Sequence, residues 1–143
     1  MQSISWTIEQ WPVVFSRFDG DQTVADIDAY MTHVQELHQR KQLYVNISWM
    51  KEYTRGRAQL TAMGNWVKKV DAGTRAYCVA SAIVTESIGF RFLLSTVFLV
   101  RPLRIPYLVS ASVKEAIEFC RQEALKRQLM LPPDIRVPWA DAP

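Results

Sequence analysis

The amino-acid sequence predicts a single α/β domain with the order β-β-α-β-α-β-α-β-α, a mixed sheet with helices packed on it. Three observations lead there. Short runs rich in Val, Ile, Tyr and Phe alternate with longer segments whose apolar residues recur every three or four positions, the two periods of strand and amphipathic helix. The first two strand-like runs are close enough to pair antiparallel, whereas each later one follows a helix-length segment, as parallel strands require. A length of 143 residues, 49% hydrophobic and 22% charged, suits one globular domain with its own core.

At the start, Ile4, Trp6 and Ile8 alternate with Ser3, Ser5, Thr7 and Glu9, the pattern of a half-buried strand. Trp11-Pro12 interrupts it, because proline cannot donate to a ladder. Val13, Val14, Phe15, Arg17 and Phe18 make a second strand, closed by Asp19-Gly20-Asp21. Thr23 and Asp26 have the spacing of a capping box. Behind them Val24, Ile27, Met31, Val34 and Leu37 line one helical face, while Asp28, Gln35, Glu36 and Gln39 face water. Gln42 to Trp49 reads as a central strand.

Thr54 is placed to cap a second helix, with Leu60, Met63, Val67 and Val70 as its apolar stripe beside Trp66, and Gly73 as a left-handed stop. Ala76 to Val84 is apolar on both faces, as in a strand covered on both sides. Residues 87–100 form a third helix, apolar around most of its circumference. Arg91 and Ser95-Thr96 interrupt it, and it is shorter than the roughly 20 apolar residues of a membrane span, so it is expected to be buried. Arg101-Pro102 ends it. Ile105 to Val109 is the last strand, and Ser112 with Glu115 is a capping box for a helix burying Ala116, Ile117, Cys120 and Ala124. Pro132-Pro133 stops any continuation. The domain is thus expected over 1–130, with an irregular tail over 131–143 anchored by Trp139.

The chemistry available is sparse. His33 and His38 are five apart, about 140° around a helix axis, too far round to chelate one metal as an i, i+4 pair would. Cys78 and Cys120 have no CxxC partner and sit among apolar residues. There is no GxSxG, no phosphate loop around the isolated Gly64 and Gly89, and Asp26 and Asp28 face different ways. No enzyme, metal or cofactor is expected. The first fifty residues carry three basic and six acidic side chains, so the basic excess lies later in the chain. Arg55, Arg57, Lys68, Lys69, Arg75, Arg101 and Arg104 could share a face, but no nucleic-acid-binding motif accompanies them, and nucleic acid is not expected. The opening residues lack the basic and apolar regions of a signal peptide, and the two thiols favour a reducing cytoplasm.

The order of elements resembles the STAS-like fold, in particular small bacterial SpoIIAA-like, STAS/SEC14-type domains. The resemblance rests on the strand Leu43-Tyr44-Val45-Asn46-Ile47-Ser48, its loop to Arg55-Gly56-Arg57, the strand Ala80-Ser81-Ala82-Ile83-Val84 before Arg91, and Pro106-Tyr107-Leu108-Val109-Ser110 leading into Glu115-Ala116. It covers roughly residues 5–128. It implies regulation by protein contact, as in anti-sigma factor antagonists, where a serine or threonine at the start of the helix after the Leu-x-Asn/Asp-Leu/Ile-Ser strand is phosphorylated. Here Thr54 and Arg55 stand where the family has Asp-Ser. Relatives of the same broad fold carry lipids, which require a large cavity.

Two surfaces follow as candidates. Trp49, Tyr53, Arg55 and Arg57 cluster where strand carboxyl ends meet helix N-termini, the usual ligand edge of an open α/β sheet, and are residue types enriched at hot spots. The alternative is that Trp49 and Tyr53 close the end of the core. Thr54 is the candidate phosphoacceptor there, since a phosphate would meet helix amides and arginines; an N-cap role, worth about 1 kcal/mol, accounts for the same residue. On the third helix, Phe92 and Leu99 share a face opposite Phe90, Leu94 and Val97 and exceed what one buried face needs, which points to self-association as a homodimer. The expected function is a non-enzymatic regulatory or interaction module that docks a protein partner at the Trp49–Arg57 edge. The alternative is a carrier of a small apolar or lipid-like ligand between the sheet and the 87–100 helix.

Overall fold

The computed structural model describes residues 3–51, 56–100 and 102–143. Within these residues nine elements follow one another as expected: β1 (Ile4–Thr7), β2 (Val13–Phe18), α1 (Val24–Gln39), β3 (Tyr44–Met50), α2 (Arg57–Tyr77), β4 (Cys78–Val84), α3 (Ile88–Val100), β5 (Tyr107–Ser110) and α4 (Val113–Lys126). The strands form one five-stranded sheet in the order β1-β2-β3-β4-β5. β1 pairs antiparallel with β2, with Ile4 opposite Phe18, and every later pair is parallel.

Side-chain alternation splits the core into two layers. Val13 and Phe15 of β2, Val45, Ile47 and Trp49 of β3, and Ala80, Ala82 and Val84 of β4 point to α4, which meets them with Val113, Ala116, Cys120 and Ala124. On the other face Ile4 and Phe18 pack under Ile27, Tyr30 and Met31 of α1 and Val70 of α2. Small residues on β4 and α4 let that helix lie close to the sheet.

α1 starts at a complete capping box: Asp26 N–H donates to Thr23 Oγ1 at 3.1 Å, and Thr23 N–H donates to Asp26 Oδ2 at 2.9 Å. Ser3 Oγ donates to the same carboxylate at 2.7 Å, tying the start of the chain to the helix. Both hydrogen bonds hold the Asp26 carboxyl below its ordinary pKa. At α4 only half of the expected box forms. Ser112 accepts from Glu115 N–H, but the Glu115 carboxylate turns to the Ser110 hydroxyl instead of the cap backbone.

Four expectations need correction. Gly73 does not stop α2, which runs on to Tyr77, so Ala76 and Tyr77 are helical and β4 begins at Cys78. The glycine serves helix packing instead: a Cβ there would run into the His38 imidazole on α1. The α2 stripe is rotated. Val70 is buried and Ala62, Met63 and Trp66 pack against the α1 layer, while Leu60 and Val67 are exposed. β5 begins at Tyr107, two residues later than its apolar run, because the Pro106 carbonyl already accepts from Ser81 N–H while proline has no N–H to return. Finally, α3 is not a buried helix; none of its residues is buried.

The C-terminal segment lacks helix and strand, as expected, yet it is tightly held. Trp139 packs edge-on to Phe15 and tilted on Trp49, both with centroids 5.5 Å apart. Asp141 takes a two-pronged bond from the Arg17 guanidinium at 3.0 and 3.2 Å, and the Pro143 carbonyl accepts from Val113 N–H.

Candidate functional site

Trp49 is only 2% exposed. Its phase on β3 sends it to the α4 side with Val45 and Ile47, where Trp139 covers it. The Arg17 guanidinium lies over its ring at 4.4 Å from the centroid, held there by Asp19 at 2.6 Å and Asp141. Lys51 Nζ approaches the ring at 5.4 Å. Trp49 therefore closes the end of the core, and the docking role expected of it is corrected: its ring has no free surface to give a partner. Arg57 is exposed in the first turn of α2. Tyr53, Thr54 and Arg55 lie outside the described residues, and the N-cap of α2 is Gly56, with no side-chain cap.

α3 presents a different surface. Its half-buried residues, Phe90, Leu94 and Phe98, turn inward, and Phe98 meets Tyr107 of β5 edge-on at 4.9 Å. Arg91, the helix's single charged residue, is half-buried and donates to the Thr85 carbonyl at 2.8 Å. Facing out are Ile88, Phe92, Leu93, Leu99 and Val100, with Phe92 75% and Leu99 81% exposed. The two residues expected on the outer face thus share it, but Val97, expected opposite them, is exposed as well.

A third feature was not anticipated. A crevice of about 210 Å³ lies between α1, α2 and the amino-terminal halves of β2, β3 and β4, closed at one side by Leu103 and Ile105. Its floor is polar. Asn46 Nδ2 donates to Ser48 Oγ at 3.1 Å along the strand and to Ser81 Oγ at 3.4 Å across it, in register with its partner on β4. Ser16 and Ser48 are cross-strand partners beside it, and the Ser16 hydroxyl pairs with Tyr30 at 3.2 Å. The apolar walls come from Met31, Val34 and Leu37 of α1 and Val67 and Val70 of α2. The signal for this floor was present in the strands: Ser16, Asn46, Ser48 and Ser81 all occupy the phase opposite the α4 layer.

The histidines and cysteines are spent on structure. His33 stacks on Trp6 with centroids 4.5 Å apart, and burial brings its pKa down to about 4. His38 Nε2 pairs with the Tyr44 hydroxyl at 3.0 Å, and burial lowers its pKa too. Cys78 and Cys120 are unpaired, and burial pushes both thiols up to about 12. Among the described residues no three potential metal ligands come together, and no helix is long and apolar enough to cross a membrane. Compared with protein-family models, curated proteins and solved structures, the chain finds no match.

Proposed function

We propose that this chain is a non-catalytic interaction module, of the regulatory kind implied by the STAS-like resemblance, and that it works as a homodimer joined through α3. The observation that carries the reading is the helix itself: thirteen residues, mostly apolar, without one buried side chain. Contiguous exposed apolar surface of this kind marks an interface. A second copy suits it, because two α3 helices related by a twofold axis would oppose apolar side chains to apolar side chains. The one charge, Arg91, is tied to the Thr85 carbonyl and adds no repulsion. The two unpaired, buried thiols suit a reducing compartment such as the cytoplasm.

Sedimentation equilibrium at micromolar concentrations tests the pairing. The unmodified chain is expected to sediment as a dimer, and the double variant Phe92→Glu, Leu99→Glu as a folded monomer. A wild-type monomer across that range overturns the reading.

A further inference from the structure

The crevice beneath α1 and α2 has a chemistry separate from α3 and independent of how the chain associates. Three properties define it. The first is an anchor. Both Asn46 amide hydrogens are engaged by Ser48 and Ser81, which leaves Asn46 Oδ1 as an acceptor and the Ser81 hydroxyl hydrogen as a donor, side by side on the floor. The neighbouring hydroxyls of Tyr30 and Tyr44 are already paired, with Ser16 and His38. His33, 9% exposed, also lines the crevice, and its Nε2 is buried without a hydrogen-bond partner. Orphaned buried groups of this sort are uncommon and costly.

The second property is charge. Among the described residues lining the crevice, Asp71 alone is charged, and Arg75 already pairs with it at 2.9 Å. A carboxylate or phosphate entering would lose its hydration and meet no cation. The third is size. About 210 Å³ holds roughly seven waters at bulk density and falls below the roughly 300–1,000 Å³ of drug-sized sites. A long acyl chain would not fit within it. α3 packs on β5, and Ser81 is left lining the crevice under α1 and α2.

We infer that the crevice binds a small neutral molecule with a hydroxyl or primary amide at one end and a compact apolar body at the other. The polar end meets Asn46 and Ser81, and the apolar body lies against Val34, Val67 and Val70. This places the ligand away from the third helix, under the first two.

Phenol, benzene and benzoate separate the three properties, because they share a ring and differ in polarity and charge. Each is titrated into the full-length ¹⁵N-labelled chain at neutral pH while the amide resonances of Asn46, Val70 and Ser81 are followed. Phenol is expected to shift them saturably, benzene to bind more weakly, and benzoate to leave them unmoved. Ser81→Ala, checked for an unchanged melting curve, is expected to weaken phenol by roughly five- to tenfold and leave benzene as it was. No saturable shift with phenol overturns the inference, as does benzoate or benzene binding as tightly as phenol. The wild-type comparison decides even if the Ser81 variant folds poorly.

Discussion

His33 illustrates how a single buried side chain sets the response of the fold to pH. It stacks on Trp6, and its Nε2 has no partner, so a proton on it would be buried without compensation. Burial brings its folded pKa to about 4, whereas an unfolded histidine titrates near 6.5. Between those values the unfolded chain binds more protons than the folded one, so stability falls as pH drops through this window. The slope is about 1.4 kcal/mol per pH unit at its steepest. Urea melts at pH 7.5, 6 and 5 are expected to show this loss, and His33→Phe, which keeps a ring against Trp6, to reduce its slope while leaving the contribution of His38, whose pKa burial also lowers. Gly73 makes a second case. The missing side chain is what lets α2 approach His38, so Gly73→Ala forces the imidazole out of its bond with Tyr44. The loss of stability is expected to be about 1–3 kcal/mol, the range for overpacking a tight contact. Pairing it with His38→Ala in a double-mutant cycle is expected to recover most of that loss, since the clash then has no partner.

Among the elements, the tail from 131 to 143 shows how little regular hydrogen bonding a segment needs to be structural. Trp139 lies against Phe15 and Trp49, Asp141 holds Arg17, and Arg17 in turn covers Trp49, so one stack links β2, β3 and the end of the chain. Trp139→Ala is expected to destabilise by about 1–3 kcal/mol, less than a fully buried aromatic because its ring is partly exposed, measured by equilibrium unfolding. Asp141→Asn, on an exposed carboxylate, is expected to change little by comparison. The anchoring role of Trp139 was legible from a large aromatic residue in a stretch without periodicity, as were the order of the elements and the α1 cap. The misreadings share a cause. Periodicity marks an apolar face but not what covers it, so α3 reads as buried although none of its residues is, and Trp49 stays open between a docking edge and the end of the core, where Trp139 and Arg17 cover it. Gly73 was read by its backbone freedom, but a helix-helix contact thirty-five residues away in sequence governs it. The crevice floor is present in the strands as alternation, but reading Ala76 to Val84 as apolar on both faces passes over Ser81, which completes the polar patch with Asn46.

For the whole molecule, the two layers are expected to behave as one cooperative unit. The sheet separates them: Cys78 lies with Val14, Leu37 and Tyr44 beneath α1 and α2, and Cys120 lies on α4 against the other face. Every strand in the middle of the sheet contributes to both sides, since β3 sends Tyr44 one way and Val45 and Ile47 the other. Detaching α4 would therefore uncover the same strands that hold the α1 layer in register, and neither layer is expected to open without the other. The thiols report on this directly. Each is buried and held near a pKa of about 12, so neither reacts while the chain is folded. Under native conditions, with reclosing faster than labelling, each cysteine reacts in proportion to the population of the open state that exposes it. Labelling with an aromatic disulfide reagent, read by mass spectrometry on Cys78→Ala and Cys120→Ala chains of matched stability, is expected to give equal opening free energies for the two sites, both equal to the global value from denaturant unfolding. A markedly lower value at Cys120 would mean that α4 and the tail peel away as a unit of their own.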